Sequence, residues 1–311
     1  MRKSTPWLLF IAIASVHIFV SANILSEKIS LNKIAHKEKS TYRNILVLDG
    51  NKDRCLSFGS KNSLQSCILK NDPRKMSFAY TKALLASLYI NPDPKNVLVI
   101  GMGGGIIPMA LRNIIPSASI DTVEVDQSVV NVASVYFGYR QDSNNQVFID
   151  DGRMFVRKQL RQKNHYDLII LDAFDKEFIP EHLLTKEFLS QIHELLSENG
   201  VLASNTFHND LFWQYVAATY QSVFGEMLQL KADSNIVLLA QKSTRDLSGA
   251  DSMKSIKVNA ANLDKAFRPF ATNSNEILPE ISKLEHPTNP SVRVLTDQYS
   301  PANLLLKVKL R

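Results

Sequence analysis

Glycine is scarce in this chain, with 11 among 311 residues, and cysteine scarcer still, with two. No internal repeat or low-complexity tract is visible, and a collagen-like repeat is excluded. At 45% hydrophobic and 21% charged residues the chain is no disordered polymer. One apolar run alone, Trp7 to Leu25, approaches the length that spans a bilayer, so a polytopic membrane protein is excluded. His165, His182, His193 and His208 have no metal-ligand spacing, and no zinc pattern surrounds the two cysteines. No metal is therefore expected, and no Ser-His-Asp arrangement stands out. A strong basic excess is also missing where it would matter. The net charge is +6, but residues 1–95 carry 15 basic and 6 acidic side chains, residues 96–245 carry 12 and 17, and residues 246–311 carry 9 and 7. The basic excess lies before the main domain, so no nucleic-acid partner is expected.

What is there begins with the N-terminal segment. A basic start, Arg2 and Lys3, precedes the apolar run, and Val20-Ser21-Ala22 offers small residues for cleavage. Residues 1–25 read as a signal peptide or as a single anchor helix. Lys28, Lys33, Lys37, Lys39 and Arg43 follow the run. By the positive-inside rule, an uncleaved helix would anchor the protein in the inner membrane with its body facing the cytoplasm; cleavage would export it. Cys55 and Cys67 flank Gly59-Ser-Lys-Asn62, a hairpin turn signal. They can lie opposite each other, disulfide-bonded if the domain is exported and reduced if it stays inside.

Residues 26–95 read as a small β-rich region closed by a helix near 78–89. From Asn96 to about residue 245, near-continuous apolar strands alternate with amphipathic helices. The strands are expected at 97–100, 120–125, 146–149, 166–171 and 201–205, with two more within 226–242. Helices are expected at 106–115, 127–137, 152–162 and 183–198. This is an α/β, doubly wound, mostly parallel sheet of seven strands, Rossmann-like, covered by helices on both faces. Residues 246–311, polar and weakly patterned, are expected to form a loop-rich extension.

Ligands of such sheets bind at the carboxyl ends of the strands. The first strand ends in Gly101-Met-Gly-Gly-Gly105, where four of the eleven glycines fall. The second ends in Glu124-Val-Asp126, the third in Asp150-Asp-Gly152, and the fourth in Asp172-Ala-Phe-Asp175. Glycines allow a tight turn and close approach of a ligand, and a carboxylate about 20 residues further on can accept both hydroxyls of a ribose. Singly, each feature has a plain alternative: Asp151, for example, can simply cap the helix that starts at Gly152. Jointly they describe a nucleoside site. Ile106 stands where the dinucleotide fingerprint needs a sixth-position Gly or Ala, which favours a nucleoside cofactor without a pyrophosphate. Arg153, Arg157 and Arg161 read as a solvated helix face.

These motifs, with Leu46-Val-Leu-Asp-Gly50, Ile179-Pro-Glu-His-Leu-Leu-Thr185 and the tail Val294-Leu-Thr-Asp-Gln-Tyr-Ser-Pro301, resemble the polyamine aminopropyltransferases, the spermidine synthase family, within the class I S-adenosylmethionine-dependent methyltransferase fold. The resemblance implies that Gly101, Gly103, Gly105, Glu124, Asp151 and Gly152 bind the cofactor, decarboxylated S-adenosylmethionine or S-adenosylmethionine itself. It implies that Asp172 is the catalytic acid–base group, that Asp175 and Tyr80 meet a small-molecule amine such as putrescine, and that the protein can form a homodimer. Two departures stand out. Gly104 occupies the place of an acidic residue, and Tyr80-Thr-Lys82 replaces Tyr-His-Glu. The transferred group, aminopropyl or methyl, stays open at this point, as does a non-catalytic, membrane-tethered module that keeps the fold.

Overall fold

The computed structural model describes residues 31–173, 179–207, 210–243, 246–287, 289 and 291–307. The apolar segment 1–25, with its expected anchor or signal helix, lies outside the described residues, as does Asp175. Among the described residues no helix is long and apolar enough to cross a membrane.

Four antiparallel strands come first: β1 (Leu31–Lys39), β2 (Asn44–Gly50), β3 (Asp53–Phe58) and β4 (Leu64–Leu69), ordered as in the sequence. The turn after Phe58 sets β3 against β4 so that Cys55 pairs with Cys67, and the two are joined in a disulfide. Thiol titration of protein denatured without reductant is expected to find no free thiol. Replacing both cysteines with serine is expected to lower the unfolding free energy by about 2–3 kcal/mol, because a short loop is released in the unfolded chain; unchanged urea unfolding would contradict this. The helix expected near 78–89 is two short ones, α1 (Ala79–Leu84) and α2 (Ser87–Ile90).

The main layer follows as β5 (Asn96–Ile100), α3 (Ile106–Ile114), β6 (Ser119–Glu124), α4 (Gln127–Tyr136), β7 (Asn145–Ile149), α5 (Gly152–Arg161), β8 (Tyr166–Leu171), α6 (Lys186–Leu195), β9 (Leu196–Phe207), α7 (Asp210–Phe224), β10 (Leu228–Ala232) and β11 (Asn235–Gln241). Next come α8 (Ala250–Phe267), α9 (Ser274–Ile277), β12 (Ile281–Lys283) and α10 (Ala302–Lys307). The large sheet has eight strands, in the order β12-β10-β11-β9-β8-β5-β6-β7. Strands β9, β8, β5, β6 and β7 run parallel, and β11, β10 and β12 add antiparallel pairs. The expected count of seven is corrected by β12, three residues from the region expected to be loop-rich. That region also holds the 18-residue α8.

The parallel strands are apolar on both faces because both are covered. Val97, Val99, Ile120, Leu168 and Ile170 pack towards α1–α3 in one cluster that also takes in Ile45, Val47, Leu56 and Ile68 of the small sheet. Leu98, Ile100, Val123, Ile169 and Leu171 pack towards α5, α6 and α7. Each such side chain stabilises by about 1.5–3 kcal/mol when fully buried, whereas an exposed ion pair gives about 0–1 kcal/mol. The strand ends are therefore held by this apolar packing. Arg153 departs from the solvated-face expectation. It is 7% exposed and donates two hydrogen bonds of 2.7 Å to Asp297, tying α5 to the C-terminal tail. Arg157 and Arg161 are exposed as expected.

Candidate active site

The register of the parallel strands brings their carboxyl ends together: Ile100 pairs with both Val123 and Leu171, and Glu124 with Ile149. The next residues of these strands surround a cavity of about 250 Å³. Gly101, Met102, Gly103, Glu124, Asp150, Asp151, Gly152 and Asp172 line it from the sheet. From the small sheet and α1 come Arg43, Gln65, Ser66 and Tyr80, and from the segment before α6 comes His182.

The loop after β5 is shaped by close approach. Gly101 has φ +93°, and a Cβ there would lie 2.3 Å from the Asp172 carbonyl oxygen. Glycine is required because two strand ends meet at this point. Gly104 donates its N–H to Ser66 Oγ at 2.9 Å, and a Cβ there would lie 2.9 Å from Ser66 Cβ and 3.2 Å from the Phe137 ring. The position is thus closed to an acidic side chain by the serine of β4. Gly105 turns away from the cavity and abuts the ring of Tyr139, so it shapes the start of α3 instead of lining the pocket.

Glu124 presents both carboxylate oxygens to the loop. Oε2 accepts the Met102 N–H and Oε1 the Asp126 N–H, each at 3.1 Å. Burial raises its pKa, opposed by those two N–H groups and by the charge of Arg43. Asp151 does cap α5: its Oδ1 accepts the N–H of Arg153 and of Met154 at 3.0 Å. Its Oδ2 meets His182 Nε2 at 2.7 Å, and that hydrogen bond is the main cause of its lowered pKa. One residue therefore both caps the helix and faces the cavity. Asp172 sits at the end of β8, and its Oδ1 accepts from Asn205 Nδ2 at 2.8 Å. Protein encloses the carboxyl group, and burial pushes its pKa up to about 7 against that hydrogen bond. Tyr80 donates its hydroxyl to the Gln65 carbonyl at 3.1 Å. Burial, then the nearby Asp172 charge, raises the phenol's pKa, so it stays neutral. Among the described residues no cluster of His, Cys, Asp and Glu is suited to hold a metal ion.

Residues 77–241 match the model of the spermine/spermidine synthase domain. The chain belongs to the spermidine synthase family. The enzyme is 38% identical over 284 residues to a polyamine aminopropyltransferase of Vibrio vulnificus (strain CMCP6), covering 89% of this chain and 93% of that protein. It is 28% identical over 226 residues to the eEF1A lysine and N-terminal methyltransferase of Xenopus laevis, covering 67% of this chain and 32% of that protein. Its fold is similar to that of a spermidine synthase solved in complex with the transition-state analogue AdoDATO, with a TM-score of 0.63 at 21% identity, covering 80% and 85% of the two chains. The enzyme is accordingly a transferase of the methyltransferase-type fold.

The expected residues Tyr80, Gly101, Gly103, Glu124, Asp151, Gly152 and Asp172 thus come together around one cavity. Sequence reasoning missed Ser66, His182 and Asn205. Asn205 ends an expected strand, so the rule that exposed the strand-end acids could have exposed it. His182 lies inside a motif already singled out. Ser66 carries no local signal, because only the packing of the small sheet delivers it to the loop.

Proposed function

We propose that the enzyme moves an aminopropyl group from decarboxylated S-adenosylmethionine to an amine such as putrescine. The observation that carries this reading is a carboxyl group with a raised pKa, Asp172, lining the cavity in a chain related over most of its length to an aminopropyltransferase. An ammonium substrate must lose a proton before it can attack the carbon bound to the sulfonium, and a base whose pKa lies near 7 suits that task. Gly101 and Gly103 leave room for the donor beside the backbone. Glu124 keeps lone pairs for the ribose hydroxyls after accepting its two N–H bonds. Asp151 and His182 form the side towards the base, and Tyr80 is a neutral wall against the amine. Asp175 is expected to add negative charge that attracts the cationic acceptor.

Incubation with decarboxylated donor and putrescine is expected to release 5′-methylthioadenosine. Methylation of an acceptor by ordinary S-adenosylmethionine, with no turnover of the decarboxylated donor, would overturn the reading. The rate kcat/KM is expected to rise with pH and to reach half its plateau near pH 7, because the ionised form of Asp172 is the active base. A profile flat between pH 5.5 and 8.5, on the order of one and a half units either side of that midpoint, would contradict it. Glu124→Gln turns an amide N–H₂ towards one of two backbone donors. It is expected to weaken donor binding about 10–100-fold in calorimetry; unchanged affinity would remove Glu124 from the site.

A further inference from the structure

One oxygen of Asp172 is held by a buried amide. Oδ1 accepts from Asn205 Nδ2 at 2.8 Å, and Asn205 Oδ1 accepts in turn from Asn235 Nδ2 at 2.9 Å. Asn205 is 3% exposed and Asn235 7%. They stand diagonally across the antiparallel pair β9–β11, where Asn205 pairs with Val237 and Asn235 with Phe207, so both side chains share one face. A primary amide is directional, since one end only donates and the other only accepts. An ionised carboxylate only accepts, so Asn205 must turn its N–H₂ to Asp172. Its carbonyl then needs a donor, and Asn235 supplies it. Asn235 Oδ1 is held by Ser234 Oγ at 3.4 Å, so the chain of amides reads in one direction.

We propose that Asn205, locked by Asn235, is a positioning residue that commits Oδ1 of Asp172 to accepting a hydrogen bond throughout the reaction and so directs the substrate's proton to Oδ2. This rests on Asp172 acting as the base, as argued above. In the step, an N–H bond of the substrate ammonium breaks, its proton forms an O–H bond on Oδ2, and the nitrogen keeps the electron pair. That pair forms the new N–C bond while the C–S bond breaks and its electrons stay on sulfur as a neutral thioether. The positive charge passes from sulfur to the new secondary ammonium. A proton on Oδ1 would instead set an O–H against the N–H of Asn205, two donors facing each other. Among the described residues the other titratable or charged groups around the cavity are Tyr80 from α1, Tyr42 and Arg43 beside the small sheet, Glu124 after the glycine loop, Asp150 and Asp151 before α5, and His182. They are common to wild type and variants, so a difference isolates the amide pair.

The test uses the full chain with Asn205→Leu and Asn235→Leu. The carboxylic C=O stretch of Asp172 is titrated by infrared spectroscopy with Asp172→Asn as the blank, which needs no turnover. Asn205→Leu is expected to raise the midpoint by about one pH unit, because a hydrogen bond to the charged form is lost. Asn235→Leu is expected to raise it less. The acidic limb of the kcat profile should move by the same amounts. In Asn235→Leu, kcat at neutral pH should fall by up to about fivefold, the share of ionised base lost when the midpoint rises by less than about one unit, with KM for both substrates changed less than about twofold. If Asn205→Leu does not fold, Asn205→Ser is expected to show the same rise, its hydroxyl being too short to reach Asp172. Unmoved midpoints in a wild type that turns over would overturn the positioning role alone. A wild type that turns over no amine would overturn the functional reading and, with it, the route of the proton.

Discussion

Asp172→Asn is expected to lower kcat by about 10²–10⁴-fold, the usual worth of a positioned general base, with donor affinity changed little. The substitution is isosteric, and the neighbouring contact with Asn205 involves only one of the two oxygens. What is lost is the capacity to take a proton. The same variant has a second expected signature. The folded-state pKa of Asp172 is raised from 3.8 to about 7. The folded protein therefore binds that proton more tightly than the unfolded chain does, and the resulting stability is full below the unfolded value and is lost as pH rises through about 7. Wild-type stability should decline over that window from this group, and Asp172→Asn should lack the decline and be the more stable protein above pH 7. Urea unfolding at pH 5 and pH 8, beside steady-state kinetics, checks both. Equal pH slopes in the two proteins would mean that the Asp172 carboxylate is not destabilised by burial, and a kcat lowered less than about tenfold would mean that Asp172 is not the base.

Gly101→Ala should be the most damaging single methyl in the domain. Its φ of +93° is strained for any L side chain, and its Cβ would meet the Asp172 carbonyl oxygen at 2.3 Å, the carbonyl carbon at 2.6 Å and Ala173 Cα at 2.8 Å. All three are backbone atoms and cannot swing aside. Just beside them Asp172 donates its N–H to the Ile100 carbonyl at 2.8 Å, so the methyl would part β5 from β8 at the point where the candidate base leaves the sheet. Left-handed strain of about 1–2 kcal/mol and overpacking of about 1–3 kcal/mol together remove a large part of the margin of a domain at the low end of the usual range, about 5–15 kcal/mol. Gly138 provides the control. Its φ is +75°, but nothing lies within 4 Å of a Cβ built there, so Gly138→Ala should cost only the strain. Comparable destabilisation of the two variants in urea would refute the close-approach argument.

Much of this was legible because the physics was local. A parallel strand buried on both faces must carry a continuous apolar run, so Val97–Ile100 and Leu168–Leu171 announced β5 and β8, and the glycine or aspartate after each run marked a strand end. Asp151 showed both of its readings at once, since a residue that caps a helix at a strand end necessarily faces the same crevice. The helix α8 escaped notice for a measurable reason. Only Ser252, Ile256, Ala260 and Phe267 along it are buried, a narrow stripe in which two of four are small. Within that stripe Phe267 stacks on Tyr89 at 5.5 Å, and beside it Asn259 donates to the Tyr89 carbonyl at 2.9 Å. Their shared partner, Tyr89, lies far from α8 in sequence, so periodicity had little to report. Arg153 misled in the same way, because its partner Asp297 lies 144 residues further along.

The sequence by itself determined the order of the strands along the chain, the glycine loop, and which acids stand at the strand ends. Backbone pairing and the burial of apolar runs follow from local pattern. Only the tertiary structure decided what those acids touch. It set Ser66 against Gly104 and closed that position to an acid, joined Cys55 to Cys67, put His182 on Asp151, and gave Asp172 its amide partner from a strand 33 residues further on. The reason is that a carboxyl group's chemistry depends on enclosure and on its hydrogen-bond donors, and both are contributed by segments remote in sequence. The Ser66–Gly104 contact exists only once the small sheet and the large one share a core, and the Asp172–Asn205 contact only once β8 and β9 pair.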